Sequence, residues 1–77
     1  MDVEVKIKEI FQRVLDVNPD EIDPEESLAV SLGVDSTELV EISVGIKKEL
    51  NALLANGELK KSHTFNDIVK IVKSKLA

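Results

Sequence analysis

Apolar residues recur along this chain at helical spacing. With each residue advancing ~100° about a helix axis, Val3, Ile7, Ile10, Phe11, Val14 and Val17 share one side of a first segment. Asp2 is placed to cap that helix. Asn18-Pro19 predicts its stop, because the residue before a proline avoids the α region. A second stripe, Leu39, Ile42, Ile46, Leu50 and Leu53, falls within an arc of about 80° on the same wheel. It starts at Asp35 or Ser36, where Asp35 and Glu38 have capping-box spacing. Its end is open to two readings. The helix either runs on past residue 50 towards the Asn56-Gly57 stop, or breaks near Asn51 and resumes. A third stripe, Phe65, Ile68, Val69, Val72 and Leu76, follows a second capping box from Thr64 to Asp67. Lys70, Lys73 and Lys75 suit the negative end of its dipole.

The stretches between the stripes are polar. Residues 18–35 read as a long acidic loop, stiffened by Pro24 and anchored by Ile22, Leu28 and Leu32. A loop of this length in so short a chain is usually functional. Residues 58–62 make at most one short basic turn, and His63 reads as a loop residue without a special role. These elements predict an all-α fold. It is a small antiparallel three- to four-helix bundle with a long loop between helices 1 and 2, forming one domain over residues 1–77.

Composition narrows the chemistry. A chain of 77 residues buries only about 60% of its unfolded surface, which leaves no room for an enclosed active site beside the core. There is no cysteine and one histidine, so neither a disulfide framework nor a thiolate or imidazole metal site is expected. No apolar run approaches the ~20 residues that span a bilayer, so membrane insertion is not expected. The charged N-terminus reads as the start of a helix and not as a signal peptide, so a cytoplasmic protein is expected. The net charge of −5 is unevenly spread. Residues 1–42 hold 12 acidic and 3 basic side chains, a net of −9, and residues 43–77 hold 3 and 7, a net of +4. The acidic half disfavours nucleic acid and favours basic protein surfaces as partners.

One hydroxyl stands out. Gly33 permits a chain reversal that delivers Asp35-Ser36 to the start of the second helix. With Asp35 as the cap, the Ser36 side chain points over the helix mouth, where unpaired N–H groups and the dipole favour a phosphate ester. An isolated Asp-Ser pair is ordinarily just a cap. A catalytic serine lacks its partners here, because no acid–base pair converges on it. On the wheel Val40 and Val44 lie away from the core stripe. Thr37, Glu41, Lys47 and Lys48 surround them, as in a small docking patch with a charged rim. Gly45, mid-helix, either lets the loop or a bound chain approach closely or is a tolerated defect.

The run Ser27-Leu28, Leu32-Gly33-Val34-Asp35-Ser36, then Glu38, Val40, Glu41 and Ile42 resembles the acyl carrier proteins. That resemblance implies a non-catalytic carrier. Ser36 would be the covalent attachment point of 4′-phosphopantetheine from coenzyme A, and Asp35 the acidic residue before it. The arm's thiol would supply the sulfur that the sequence lacks and carry acyl groups as thioesters, in fatty-acid synthesis or a specialised lipid or secondary pathway. The implied partners are a phosphopantetheinyl transferase and acyl-loading and acyl-processing enzymes, contacted through Thr37, Val40, Glu41, Val44 and Lys48. A monomer is expected. Thr37 stands where the family usually has leucine, and Lys47-Lys48 where it tends to be acidic, which points to a specialised carrier. The lysines at 47, 48, 60 and 61 are expected to gather near the far end of the second helix. The alternatives are an aminoacyl or peptidyl carrier and an unmodified helical adaptor of the same fold.

Overall fold

The computed structural model describes residues 2–55 and 57–76. Four helices follow in order: α1 (Val3–Leu15), α2 (Leu28–Ser31), α3 (Ser36–Leu50) and α4 (Phe65–Leu76), with no strand among the described residues. The all-α bundle expected from the sequence is present.

Each long helix begins where its cap directs. Asp2 Oδ1 accepts from the backbone N–H groups of Glu4 and Val5 at 3.1 and 3.4 Å, starting α1. Thr64 and Asp67 exchange reciprocal bonds of 3.0 and 3.1 Å at the head of α4. Endings depart further from expectation. α1 stops at Leu15, before Asn18-Pro19, because Asp16 turns left-handed with φ 54. Asp tolerates that conformation better than most residues. Val17 therefore reaches the core from the loop, half-buried, and not from the helix.

α3 ends in the same way. Asn51, with φ 55, caps it and donates its N–H to the Lys47 carbonyl at 3.0 Å. Of the two readings of this helix end, the break at Asn51 is found, but the helix does not resume after it, since residues 51–55 are not helical. The break also corrects the stripe, since Leu53 is 71% exposed while Leu50 and Ala52 are buried. The wheel presumes helical geometry through residue 53, and the left-handed turn rotates the chain out of it. The Asn56 half of the Asn56-Gly57 stop lies outside the described residues. Leu76, in the last turn of α4, is likewise exposed instead of core.

The core is one cluster. Ile7, Ile10 and Phe11 of α1 meet Ile42 and Ile46 of α3 and Phe65, Ile68 and Val72 of α4, all fully buried. Phe11 and Phe65 pack edge to face, with centroids 5.4 Å apart. Gly45 belongs to this packing. A Cβ there would lie 2.9 Å from Ile10 Cγ2, and the nearest atoms all belong to Ile10 and Arg13, so the close approach it permits is that of α1.

The acidic loop is more structured than its composition suggests. Pro19–Glu21 form a 3-10 turn, with the Glu21 carboxylate accepting the Asn18 N–H at 3.0 Å. Ser27 caps the single-turn α2 through Val30 N–H. Four residues are too few to show helical periodicity. The loop is sewn to the segment before α4 and to the first turn of α4. Leu28 N–H donates to the His63 carbonyl and Ala29 N–H to the Lys61 carbonyl, both at 3.0 Å, and Asn66 N–H donates to the Pro24 carbonyl at 3.2 Å. His63 also accepts the Lys60 N–H on Nδ1 at 3.1 Å, so it holds a turn that the sequence reading gave it no part in.

Candidate functional site

The chain from Leu28 to Ser36 is a mount for one hydroxyl. The Leu28 carbonyl accepts from the N–H groups of Leu32 at 3.0 Å and Val34 at 3.4 Å. Gly33 sits between them at φ 63, a conformation that favours glycine. Val34 is buried and pins the turn, while its neighbours Gly33 and Asp35 are exposed. The sequence reading passed over Val34, although the signal was there. Val34 precedes the Asp35 cap and Leu39 is the fourth helical residue, the spacing of a hydrophobic staple. Both are buried in the one cluster.

Asp35 and Glu38 form the expected capping box. Asp35 Oδ1 accepts Glu38 N–H at 2.8 Å, and Glu38 Oε1 accepts Asp35 N–H at 3.1 Å. Ser36 is the first residue of α3, exposed, and among the described residues its Oγ has no hydrogen-bond partner. The cap is complete without it. Its hydroxyl is free for chemistry at the positive end of a helix of 15 residues.

Ser36 opens onto a groove of about 410 Å³. One wall is α3, contributing Ser36, Leu39, Val40 and Ser43. The other is the coil after α3, contributing Leu54, Ala55, Gly57 and Leu59. Ser43 donates its hydroxyl to the Val40 carbonyl at 2.8 Å and keeps its oxygen lone pairs available. Ser43 was legible in principle, lying two turns from Ser36 on the same stripe. The coil wall was not, because nothing in its composition sets the path of a non-helical segment.

The proposed partner residues all lie on the surface. Thr37, Val40, Glu41, Val44 and Lys48 are exposed, Val40 and Val44 by 58% and 50%. The structure brings Val40 to the groove. Thr37, Glu41, Val44 and Lys48, spaced by four, three and four residues, form the stripe outside it. The four lysines do not gather. Lys47 donates to Asn51 Oδ1 at 3.0 Å at the end of α3. The Lys61 carbonyl holds Ala29 N–H, which ties Lys60-Lys61 to α2 near the opposite end of that helix.

Two carboxyls titrate below their ordinary range. Glu58 is lowered chiefly by the Ala55 backbone N–H and then by Lys75. Asp67 is lowered chiefly by the Thr64 backbone N–H. Among the described residues no three His, Asp or Glu side chains converge as metal ligands, and no helix is long and apolar enough to cross a membrane.

A free hydroxyl at a helix mouth, beside a partly apolar groove, is the equipment of a carrier domain. Comparison with known proteins agrees. The family described as "Phosphopantetheine attachment site" matches residues 5–72. An acyl carrier protein of Wolinella succinogenes is 31% identical over 68 residues, covering 88% of this chain and 90% of its own. An acyl carrier protein of Thermosynechococcus vestitus is 31% identical over 72 residues, covering 94% and 89%. The chain belongs to the phosphopantetheine-attachment family, and within it to the acyl carrier proteins. It is a carrier and not a catalyst, its prosthetic group is a covalently attached 4′-phosphopantetheine, and its family works with a phosphopantetheinyl transferase and acyl-processing enzymes.

Proposed function

We propose that Ser36 is the attachment position and that residues 1–77 act as one carrier domain for acyl groups of a specialised pathway. The observation that carries this reading is the Ser36 hydroxyl, exposed, outside the completed cap, and opening onto the groove. The residues present fit the group. A phosphodiester on Ser36 Oγ meets the unpaired N–H groups and positive dipole of the first turn of α3. The group, when attached, supplies a terminal thiol on which acyl chains are held as thioesters. Asp35 and Glu38 keep the turn rigid while the side chain between them is modified. Leu39, Val40, Leu54 and Leu59 offer apolar contact beside it, so an acyl chain gains by leaving water there.

Partner enzymes are read to dock on Thr37, Val40, Glu41, Val44 and Lys48. Exposed valines in a helix have no intrahelical advantage. Here they sit beside Glu41 and Lys48, neither of which has an ion-pair partner among the described residues. The two lysines late in α3 support a dedicated enzyme set over the general fatty-acid machinery, since a partner built only for acidic carriers meets repulsion there. The test is intact mass after incubation with coenzyme A and a broad-specificity phosphopantetheinyl transferase. Wild type gains one phosphopantetheinyl group, and Ser36→Ala gains none.

A further inference from the structure

The groove beside Ser36 has one wall of regular helix and one of coil, and a single carboxylate makes the polar tie of the coil wall to the bundle. Among the described residues the wall's side-chain hydrogen bonds run through Glu58. Oε1 of Glu58 accepts the Ala55 N–H at 2.8 Å, and its own N–H donates to the Ala55 carbonyl at 3.0 Å. Oε2 lies 2.9 Å from Lys75 Nζ, in the last turn of α4. One carboxylate therefore folds the wall upon itself and ties it to the bundle. Its neighbours Leu54, Ala55, Gly57 and Leu59 line the groove, and only Leu59 is buried. Leu59 is anchored in the core cluster and Leu54 packs against it, while Ala55 and Gly57 between them are exposed, so the tie sets the path of the wall between its two apolar anchors. The pair is sheltered, with the two side chains 35% and 25% exposed. A bond in which both partners are charged is also stronger than a neutral one.

We propose that Glu58 is the positioning residue of the groove. Its pair with Lys75 sets how far the coil wall stands from α3, and so how well an acyl chain is sheltered beside Ser36. The inference rests on the reading of Ser36 as the loaded position. Lys75 belongs to α4, which contributes no residue to the groove lining. The polar contact of Lys75 with the wall runs through Glu58.

The test compares Lys75→Met and Glu58→Gln with Arg13→Met, which breaks the Arg13–Glu49 pair between α1 and α3 away from this wall. The first readout is methyl relaxation dispersion on the apo protein. In Lys75→Met and Glu58→Gln, Leu54 and Leu59 should show millisecond exchange, with the open population raised about three- to tenfold, the scale of losing one net hydrogen bond in a partly exposed pair. Ile42 and Ile46 should stay as in wild type, and Lys75→Arg should restore the wall. The second readout is cleavage by hydroxylamine of the octanoyl thioester on the loaded protein, which should quicken in the same two variants. Arg13→Met should lower the melting temperature without moving either readout. Unchanged Leu54 and Leu59 in both variants, or the same response in Arg13→Met, would overturn the assignment. If Ser36 takes no prosthetic group, the reading of Ser36 fails, and the methyl readout still decides the role of Glu58.

Discussion

Gly45 and Ile10 are in contact closely enough to exclude a side chain at 45, since a Cβ there would stand 2.9 Å from Ile10 Cγ2. Two opposing effects meet at this position. Alanine in a helix interior is favoured over glycine by about 0.8–1 kcal/mol. Overpacking a filled core costs about 1–3 kcal/mol. Ile10 is fully buried and branched, so it cannot swing aside, and the clash wins. Gly45→Ala should lower stability by about 1 kcal/mol in urea unfolding. Truncating Ile10 to Ala in the same chain should remove that penalty, so the two changes are non-additive. A stabilised Gly45→Ala would show that α1 and α3 are not held this tightly.

Asp35 and Ser36 are adjacent and do different work. The Asp35 carboxylate caps α3, and Ser36 does not take part. Asp35→Ala should cost about 1 kcal/mol, the usual cost of a lost N-cap. Ser36→Ala should leave the melting temperature within a degree or so of wild type, since surface changes outside such features are nearly neutral. Thermal melts of the two apo variants check this. A large loss in Ser36→Ala would mean that the hydroxyl has a structural role.

Stability should depend on acid through two named carboxyls. Glu58 and Asp67 are held below their ordinary values of 4.5 and 3.8 in the folded chain. Each then binds its proton less readily folded than unfolded. Its contribution is complete above the ordinary value and disappears as pH falls through the lower folded one. The urea midpoint should be flat above about pH 5 and fall below it. Glu58→Gln and Asp67→Asn should each flatten that fall. An unchanged slope in both would remove these groups from the acid response.

Glu41 and Lys48, two turns apart on α3, should act in opposite senses on one partner. With a transferase whose docking face is basic, Glu41→Lys should slow association and Lys48→Glu should speed it, chiefly through the association rate. Both effects should shrink as salt rises above about 0.15 M, where the screening length is about 8 Å. Rates indifferent to both changes and to salt would exclude this stripe from the interface.

Much of this was legible in the sequence, for physical reasons that can be named. The caps at Asp2, Asp35 and Thr64 were readable because capping is local chemistry. The core faces of the helices were readable because burial imposes a helical period. Periodicity failed at Leu53, where it was carried past a left-handed residue, and at Leu76, which keeps the stripe's spacing but ends α4 exposed. It also missed α2, which is a single turn. Ser36 stood out because a motif and a helix start coincide there. The coil wall of the groove was out of reach. The path of the wall depends on Glu58 as well as on the burial of Leu59, and the partner of Glu58 is Lys75, seventeen positions away in another helix.

The central claim is that one hydroxyl, Ser36, bears the prosthetic group. Thr37 is its neighbour, and Ser43 lines the same groove, so total mass alone does not separate them. The decisive measurement is fragmentation mass spectrometry of the peptide spanning residues 32–47 from the wild-type holo protein. The account expects the whole of the phosphopantetheinyl mass on Ser36, with Thr37 and Ser43 unmodified. The group on Thr37, on Ser43, or on a peptide elsewhere in the chain would contradict it.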